Sequence, residues 1–297
     1  MIPQYPKTSL IALEHKQLFD DYTKNFEPYA EYSFAGLYCW DTEEETQISE
    51  LNGNLIMTMP YYITMEPFYS LIGVNKIDKT LDTLLNDHGE LKMVPEVVVG
   101  AIENVDKYKI TEDRDQFDYV YLLEDQVQLA GKHYRGRRKK SSKFYRTYED
   151  SIEIRKIKFS DKNDRQQILS TFEDWAKDRD RSKDDTVHEV AALRRVMEAA
   201  PNFNLVGIQM FIEGKCVGFS INDVLSEDYA VCRFHKSLVG SYKHIDAFLS
   251  NLVAIELRHF GCKYISWEQD LGIEGLRAFK ESYKPVKYLK KYTISKR

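Results

Sequence analysis

The segment from residue 229 to residue 285 constrains the fold more than any other part of this chain. Its pattern predicts a strand over 229–235, a loop over 236–243, a helix over 244–260 and a strand over 263–269. The turn Asp270-Leu271-Gly272 and a second helix over 273–283, stopped by Pro285, complete it. In the first helix Ile245, Phe248, Leu249, Leu252 and Ile255 recur at spacings of three and four, so one apolar face packs on a sheet. Ile273, Leu276, Phe279 and Tyr283 do the same in the second. Between the helices the residues alternate, which sets Ile265, Trp267 and Gln269 on one face and Ser266, Glu268 and Asp270 on the other. Carboxylates beside a tight glycine turn at the end of a buried strand stand where open α/β sheets place a ligand.

The rest of the chain extends this α/β reading. A short arm leads to an aromatic-rich helical stretch over 18–40. Residues 48–52 and 54–60 form a hairpin on the turn Asn52-Gly53, a strong short-range hairpin signal. A strand over 71–74, a helix over 76–87 ending at Gly89, a mixed segment over 94–100 with a helix start at Pro95-Glu96, and a strand over 119–123 follow. From Ile152 the pattern restarts with a strand over 152–157 and a helix capped by Ser160 or Asp161 that runs to about Lys177. A charged loop over 178–185, a helix over 187–200, and a hairpin of 205–212 with 216–223 lead back to the opening segment.

At 297 residues the chain suits one large or two ordinary domains, and 43% apolar content supports a packed core. No apolar run approaches the roughly 20 residues of a membrane-spanning helix, and the N-terminus lacks a signal pattern. The expectation is a soluble, cytoplasmic protein. Cys39, Cys216, Cys232 and Cys262 are scattered among apolar or aromatic residues with no C-x-x-C pair, and no H-E-x-x-H occurs among the seven histidines. Buried thiols and no metal site are expected.

Between Lys132 and Arg146 stand Lys132, Arg135, Arg137, Arg138, Lys139, Lys140, Lys143 and Arg146, with no acid among them. On a helix, Lys132, Arg135, Lys139, Lys143 and Arg146 share a narrow face, opposite Ala130, Tyr134, Ser141, Phe144, Tyr145 and Tyr148. A basic ridge backed by aromatics suits a phosphate backbone, because charge neutralisation supplies affinity without sequence choice. Gly131 and Gly136 argue against a regular helix, at about 1 kcal/mol each. The structural alternative is a solvated basic connector.

The run from Trp267 through Glu268, Gln269, Asp270, Leu271, Gly272, Ile273, Glu274, Gly275 and Leu276 to Arg277 resembles the signature of the phosphatidylglycerol lysyltransferase C-terminal-like family. Asp228-Tyr229-Ala230-Val231, the run from Ile48 to Leu55, and Leu129-Ala130-Gly131 with its basic continuation extend the resemblance. It implies an α/β fold of two acetyltransferase-like (GNAT) domains, mixed sheets flanked by helices. The division expected is 1–125, a basic bridge over 126–149, and 150–297, where the element order is that of a GNAT domain. Characterised family members move an aminoacyl group from aminoacyl-tRNA to a lipid, and they carry a membrane domain ahead of this unit. Aminoacyl-tRNA is therefore the donor the resemblance implies, with tRNA as partner and the acceptor left open. GNAT enzymes hold the pyrophosphate of coenzyme A on a Q/R-x-x-G-x-G/A loop before the helix that follows the fourth strand. Here that place is Leu238-Val239-Gly240-Ser241-Tyr242-Lys243, with one glycine and a bulky Tyr242. Coenzyme A is thereby disfavoured as a cofactor.

Acyl transfer needs a positioned amine or hydroxyl, a proton acceptor and donors for the developing oxyanion. Glu268, Asp270 and Arg233 are the catalytic candidates, the carboxylates as proton acceptor or amine-binding groups. Asp228 and Glu274 are candidates for orienting a cationic aminoacyl group, and His235 shares a strand face with Arg233. Ser241, Lys243, Arg277 and Lys280 are candidates for phosphate. Each has a structural counterpart: Asp270 as a turn-fixing residue, Glu274 as a helix-dipole acid, Arg233 as an internal partner of Glu268. Three functions remain open: an aminoacyl-tRNA-dependent transferase, a coenzyme-A-dependent N-acyltransferase, and a non-catalytic module binding nucleic acid or an anionic surface.

Overall fold

In the computed structural model, which describes residues 1–61 and 66–297, the chain builds one unit, leaves it at Tyr119 and returns to it at Glu268. The first unit holds Met1–Tyr119, Glu268–Ser282 and Lys287–Arg297; the second holds Val120–Trp267 and Tyr283–Val286. The units thus interleave along the sequence, whereas the expected division at residues 125 and 150 runs straight along it.

The first unit opens with β1 (Ser9–Leu10), α1 (Lys16–Thr23) and α2 (Phe34–Trp40). The single helical stretch expected over 18–40 is two helices, because Pro28 has no N–H to give and restrains the residue before it. β2 (Gln47–Leu51) and β3 (Asn54–Pro60) form the expected hairpin. Its turn residues Asn52 and Gly53 take φ of 56° and 81°, the pair of positive values that matches strand twist. β4 (Pro67–Ile72) completes a four-stranded sheet in the order β1-β2-β3-β4, and stops earlier than expected at Gly73, whose φ is 132°. α3 (Ile77–His88) ends at Gly89, as its sequence implies, and buries Ile77, Leu81, Leu84 and Leu85. These pack with Ile56, Leu71, Leu91, Val94 and Val98 into one core. β5 (Glu90–Pro95), α4 (Glu96–Val99) and β6 (Tyr108–Glu112) follow.

β7 (Asp118–Leu122) carries the chain into the second unit, followed by α5 (Leu123–Gln128) and α6 (Arg135–Tyr148). Then come β8 (Ile152–Lys156), α7 (Lys162–Asp178), α8 (Val187–Glu198), β9 (Leu205–Ile212), β10 (Lys215–Val224), β11 (Tyr229–Ser237), α9 (Ile245–His259) and β12 (Tyr264–Ser266). Asp161 caps α7 by accepting the N–H groups of Asn163 and Asp164 at 2.7 and 3.2 Å. Among the strands just named, the order is β7-β12-β11-β10-β9-β8. Of these neighbours β11 and β12 run parallel and the others antiparallel. With α7 and α9 packed on the sheet, the fold is the expected mixed α/β, GNAT-like architecture. β11 runs on to Ser237, but its pairing with β12 stops at Val231 and Ser266.

Back in the first unit, α10 (Glu274–Glu281) and β13 (Lys287–Leu289) precede β14 (Lys291–Lys296), which lies between β5 and β6. Among the described residues no helix is long and apolar enough to cross a membrane.

Two local departures matter for the site. The strand expected over 263–269 ends at Ser266, because Glu268 turns into left-handed space with φ of 54°. Glu268 and Asp270 therefore do not share a strand face. In β11 the register against β10 steps from Phe234 to Cys232 and leaves Arg233 as the extra residue of a bulge. That bulge breaks the alternation which set Arg233 and His235 side by side.

Candidate functional site

Two centres stand out, one in each unit. In the first unit the turn after Ser266 winds through three positive φ values, at Glu268, Leu271 and Gly272, and drives the Asp270 side chain into the interior, where it is fully buried. Its Oδ1 accepts the Gly272 N–H at 2.9 Å, which closes the turn. The Arg277 guanidinium grips it as a fork, Nε to Oδ2 at 2.9 Å and Nη2 to Oδ1 at 2.8 Å. Arg114 donates to Oδ2 at 3.1 Å and the Tyr119 hydroxyl at 2.5 Å. Arg114 also reaches Glu281 at 3.0 Å, and Arg277 reaches Asp115 at 2.5 Å.

This network sets the chemistry. Burial alone would push the Asp270 carboxyl up, but the hydrogen bonds from Arg277, Tyr119 and Gly272 outweigh it and hold the group at about 2. A carboxylate so stabilised is a poor proton acceptor near neutral pH. Asp270 is the hub that orders Arg114, Tyr119 and Arg277, not the base that its position suggests. Gly272 takes φ of 72°, left-handed space that favours glycine, and a Cβ there would also crowd the Asp115 carboxylate at 2.7 Å. Lys280, a phosphate candidate in sequence, is buried and donates to the carbonyls of Glu268 and Gln269 at 3.1 and 2.5 Å. Glu268 is half-buried and held at its backbone, its carbonyl accepting the Tyr119 N–H at 3.2 Å as well. Glu274 is exposed in the first turn of α10, where the helix dipole favours an acid.

The same unit contains a cluster that sequence reading misses. Lys291, fully buried, donates to Asp118 at 2.9 Å and pairs with Glu31. Asp118 also accepts the Ala30 N–H at 2.9 Å, and Glu31 accepts from Gln269 Nε2 at 3.0 Å. Burial, then Lys291 pulling down and Glu31 pushing up, leaves the Asp118 carboxyl at about 7. Burial lowers the Lys291 ammonium, but Asp118 and Glu31 more than offset that and leave it raised. No local pattern marks these residues: they are 173 positions apart in the case of Lys291 and Asp118, and only tertiary pairing joins them.

In the second unit the basic segment is a regular helix after all. Gly131 lies outside α6 and Gly136 falls in its first turn, where a glycine weakens a helix least. Tyr134, Ser141 and Phe144 are buried, with Phe144 and Tyr145 stacking near Phe248 of α9 at 5.3 and 5.8 Å. Lys132, just ahead of the helix, and Arg135, Lys139, Lys143 and Arg146 along it are all exposed. Arg137 turns inward over the Tyr283 ring, and burial brings its guanidinium down to about 9. Lys140 and Lys143 of this helix lie near the start of α9. There His244, capping with φ of 77°, is held below its ordinary value by burial and then by the charges of Lys243, Lys140 and Lys143. Lys243 is exposed beside them.

The remaining candidates of this unit are engaged elsewhere. Arg233 is buried and reaches Asp223 on the neighbouring strand at 3.4 Å. Asp228 is paired with Lys263 at 2.7 Å on the surface. His235 stacks on Trp267 at 5.6 Å, and burial pulls its imidazole down to about 4, leaving it neutral at pH 7. The hydroxyl of Ser241 donates to Asp178 at 3.2 Å.

The sequence matches the family described as phosphatidylglycerol lysyltransferase, C-terminal, over residues 23–295. This chain belongs to that family. Among solved structures it is similar to a conserved protein of unknown function from Bacteroides thetaiotaomicron VPI-5482, at 25% identity and a TM-score of 0.85, with all of both chains covered. L-PGS from Bacillus licheniformis is similar in fold, with 12% identity and a TM-score of 0.62 over 100% of this chain and 94% of that one. No curated relative matches. Membership of the phosphatidylglycerol lysyltransferase C-terminal family agrees with the run from Trp267 to Arg277, in which Asp270 and Arg277 are the two ends of the fork.

Proposed function

We propose that this family member is an acyltransferase of the aminoacyl-transfer type, taking its acyl group from aminoacyl-tRNA. The observation that carries the reading is the exposed cationic face of α6, a helix packed on α9 through Phe144 and Phe248, together with exposed Lys243 ahead of α9. Like charges spaced four residues apart, as Arg135, Lys139 and Lys143 are, destabilise a helix by about 0.2–0.5 kcal/mol per pair. A polyanion laid along the ridge relieves that repulsion and gains counterion-release affinity. Lys132, Arg135, Lys139, Lys143 and Arg146 are assigned to the tRNA backbone, and Lys243 to a phosphate near its acceptor end.

In the proposed reaction an amine or hydroxyl of the acceptor attacks the ester carbonyl of the aminoacyl-tRNA. The new bond to the acceptor forms as the bond to the ribose oxygen breaks, and the acceptor's proton passes by way of a carboxylate to the departing ribose oxygen. Glu268 is assigned that carboxylate, because Asp270, at about 2, is too weak a base. Asp270 and Arg277 act as positioning residues that fix the turn bearing Glu268.

The test is release of labelled amino acid from aminoacyl-tRNA into amine and lipid acceptor fractions. The wild-type chain is expected to accelerate transfer, and Glu268→Gln to slow it by about a hundredfold or more while tRNA binding is retained. A wild-type chain that binds tRNA without turnover would leave a non-catalytic binding module. An unchanged rate in Glu268→Gln would remove Glu268 from the mechanism.

A further inference from the structure

The loop between β11 and α9 contains an anion-binding nest, and the protein fills it with one of its own carboxylates. Asp178, the last residue of α7, places Oδ2 at 2.8 Å from the Gly240 N–H. Its Oδ1 accepts the Ser241 N–H at 3.1 Å and the Ser241 hydroxyl at 3.2 Å. Two successive backbone N–H groups directed at one anion are the arrangement by which loops of this kind cradle phosphate. The approach is so close that a Cβ at Gly240 would stand 2.5 Å from Asp178 Oδ1. The one glycine of the loop therefore serves an internal carboxylate.

We infer that Asp178 is a donor-specificity residue: it occupies the diphosphate position of the loop and so excludes coenzyme A, leaving tRNA as the donor. This rests on the acyltransferase reading above. A diphosphate entering the nest would have to displace three hydrogen bonds and meet the negative charge of Asp178 at contact distance. A tRNA donor does not need the nest, because its backbone charge is met by exposed Lys139, Lys143 and Lys243 instead.

The experiment is calorimetric titration of the full chain with inorganic pyrophosphate and with coenzyme A. Wild type is expected to bind neither in the millimolar range, and Asp178→Ala to gain affinity for both by about tenfold or more, the value of one charge-assisted hydrogen bond or better. Adding Gly240→Ala to that variant puts a methyl group into the vacated space and is expected to abolish the gain. Should Asp178→Ala lose its far-UV circular dichroism, Asp178→Asn, which removes the charge and keeps the shape, carries the same comparison with a smaller gain. A folded Asp178 variant with unchanged pyrophosphate affinity would overturn the inference, as would wild-type binding equal to that of the variant. Since no tRNA enters the titration, its failure leaves aminoacyl transfer untouched, and a failure of aminoacyl transfer leaves the closed nest standing.

Discussion

Replacing Lys291 by methionine is expected to cost about 3–5 kcal/mol of stability at pH 8, the largest effect of any single change considered. Methionine fills the space of the lysine stem, so the loss is one of charge rather than packing. Asp118 and Glu31 would be left buried without their shared cation, each keeping one neutral donor, the Ala30 N–H and the Gln269 amide. The sign of the pH dependence follows from Asp118. Its carboxyl stands raised, at about 7, even with Lys291 present, and removing the ammonium raises it further. A raised acid binds more protons in the folded state than in the unfolded one, so acidification between pH 8 and 5.5 favours the folded variant. Urea unfolding followed by far-UV circular dichroism reads both effects. A loss below about 1 kcal/mol, or a loss that grows on acidification, would mean that the triad is not a closed ionic unit.

The second large effect is on binding. The double variant Lys139→Glu/Lys143→Glu is expected to lower tRNA affinity by about tenfold or more at 50 mM salt and to reduce the slope of log K against log salt by about two. Both side chains are exposed on the face of α6 away from Phe144, so the fold should persist with its α6–α9 packing intact. Lys143 also contributes to the positive field at His244, and its reversal should raise the His244 imidazole towards its ordinary value. Filter binding over a salt series measures the affinity. An unchanged slope would show that the ridge does not meet phosphate.

Much of the fold could be read from local chemistry. Asn52-Gly53 specifies a hairpin turn, Gly89 a helix end and Asp161 a helix start, because each acts within a few residues of its own position. The order from β8 to β12 follows from apolar periodicity. What escaped the sequence was decided by residues that break a period or by pairs far apart in it. The positive φ of Glu268 ends β12 three residues early and separates Glu268 from Asp270, which strict alternation joins. The bulge at Arg233 turns that side chain to Asp223. Gly136 argues locally against a helix that α9 stabilises through Phe144 and Phe248. At the site, the basic ridge was legible from the purity of its charge, and the role of Asp270 was not. A single carboxylate looks the same in sequence whether it awaits a proton or is saturated by Arg114, Tyr119 and Arg277. Asp178 offered no signal at all, since its meaning lies in two amides more than sixty residues away.

The central claim is that this family member takes an aminoacyl group from tRNA. Filter binding of the purified chain to charged and uncharged tRNA, over a range of salt, tests it most directly. The account predicts tighter binding of the charged form, with a salt slope of several phosphates in both. Absence of binding by either form at low salt would contradict it.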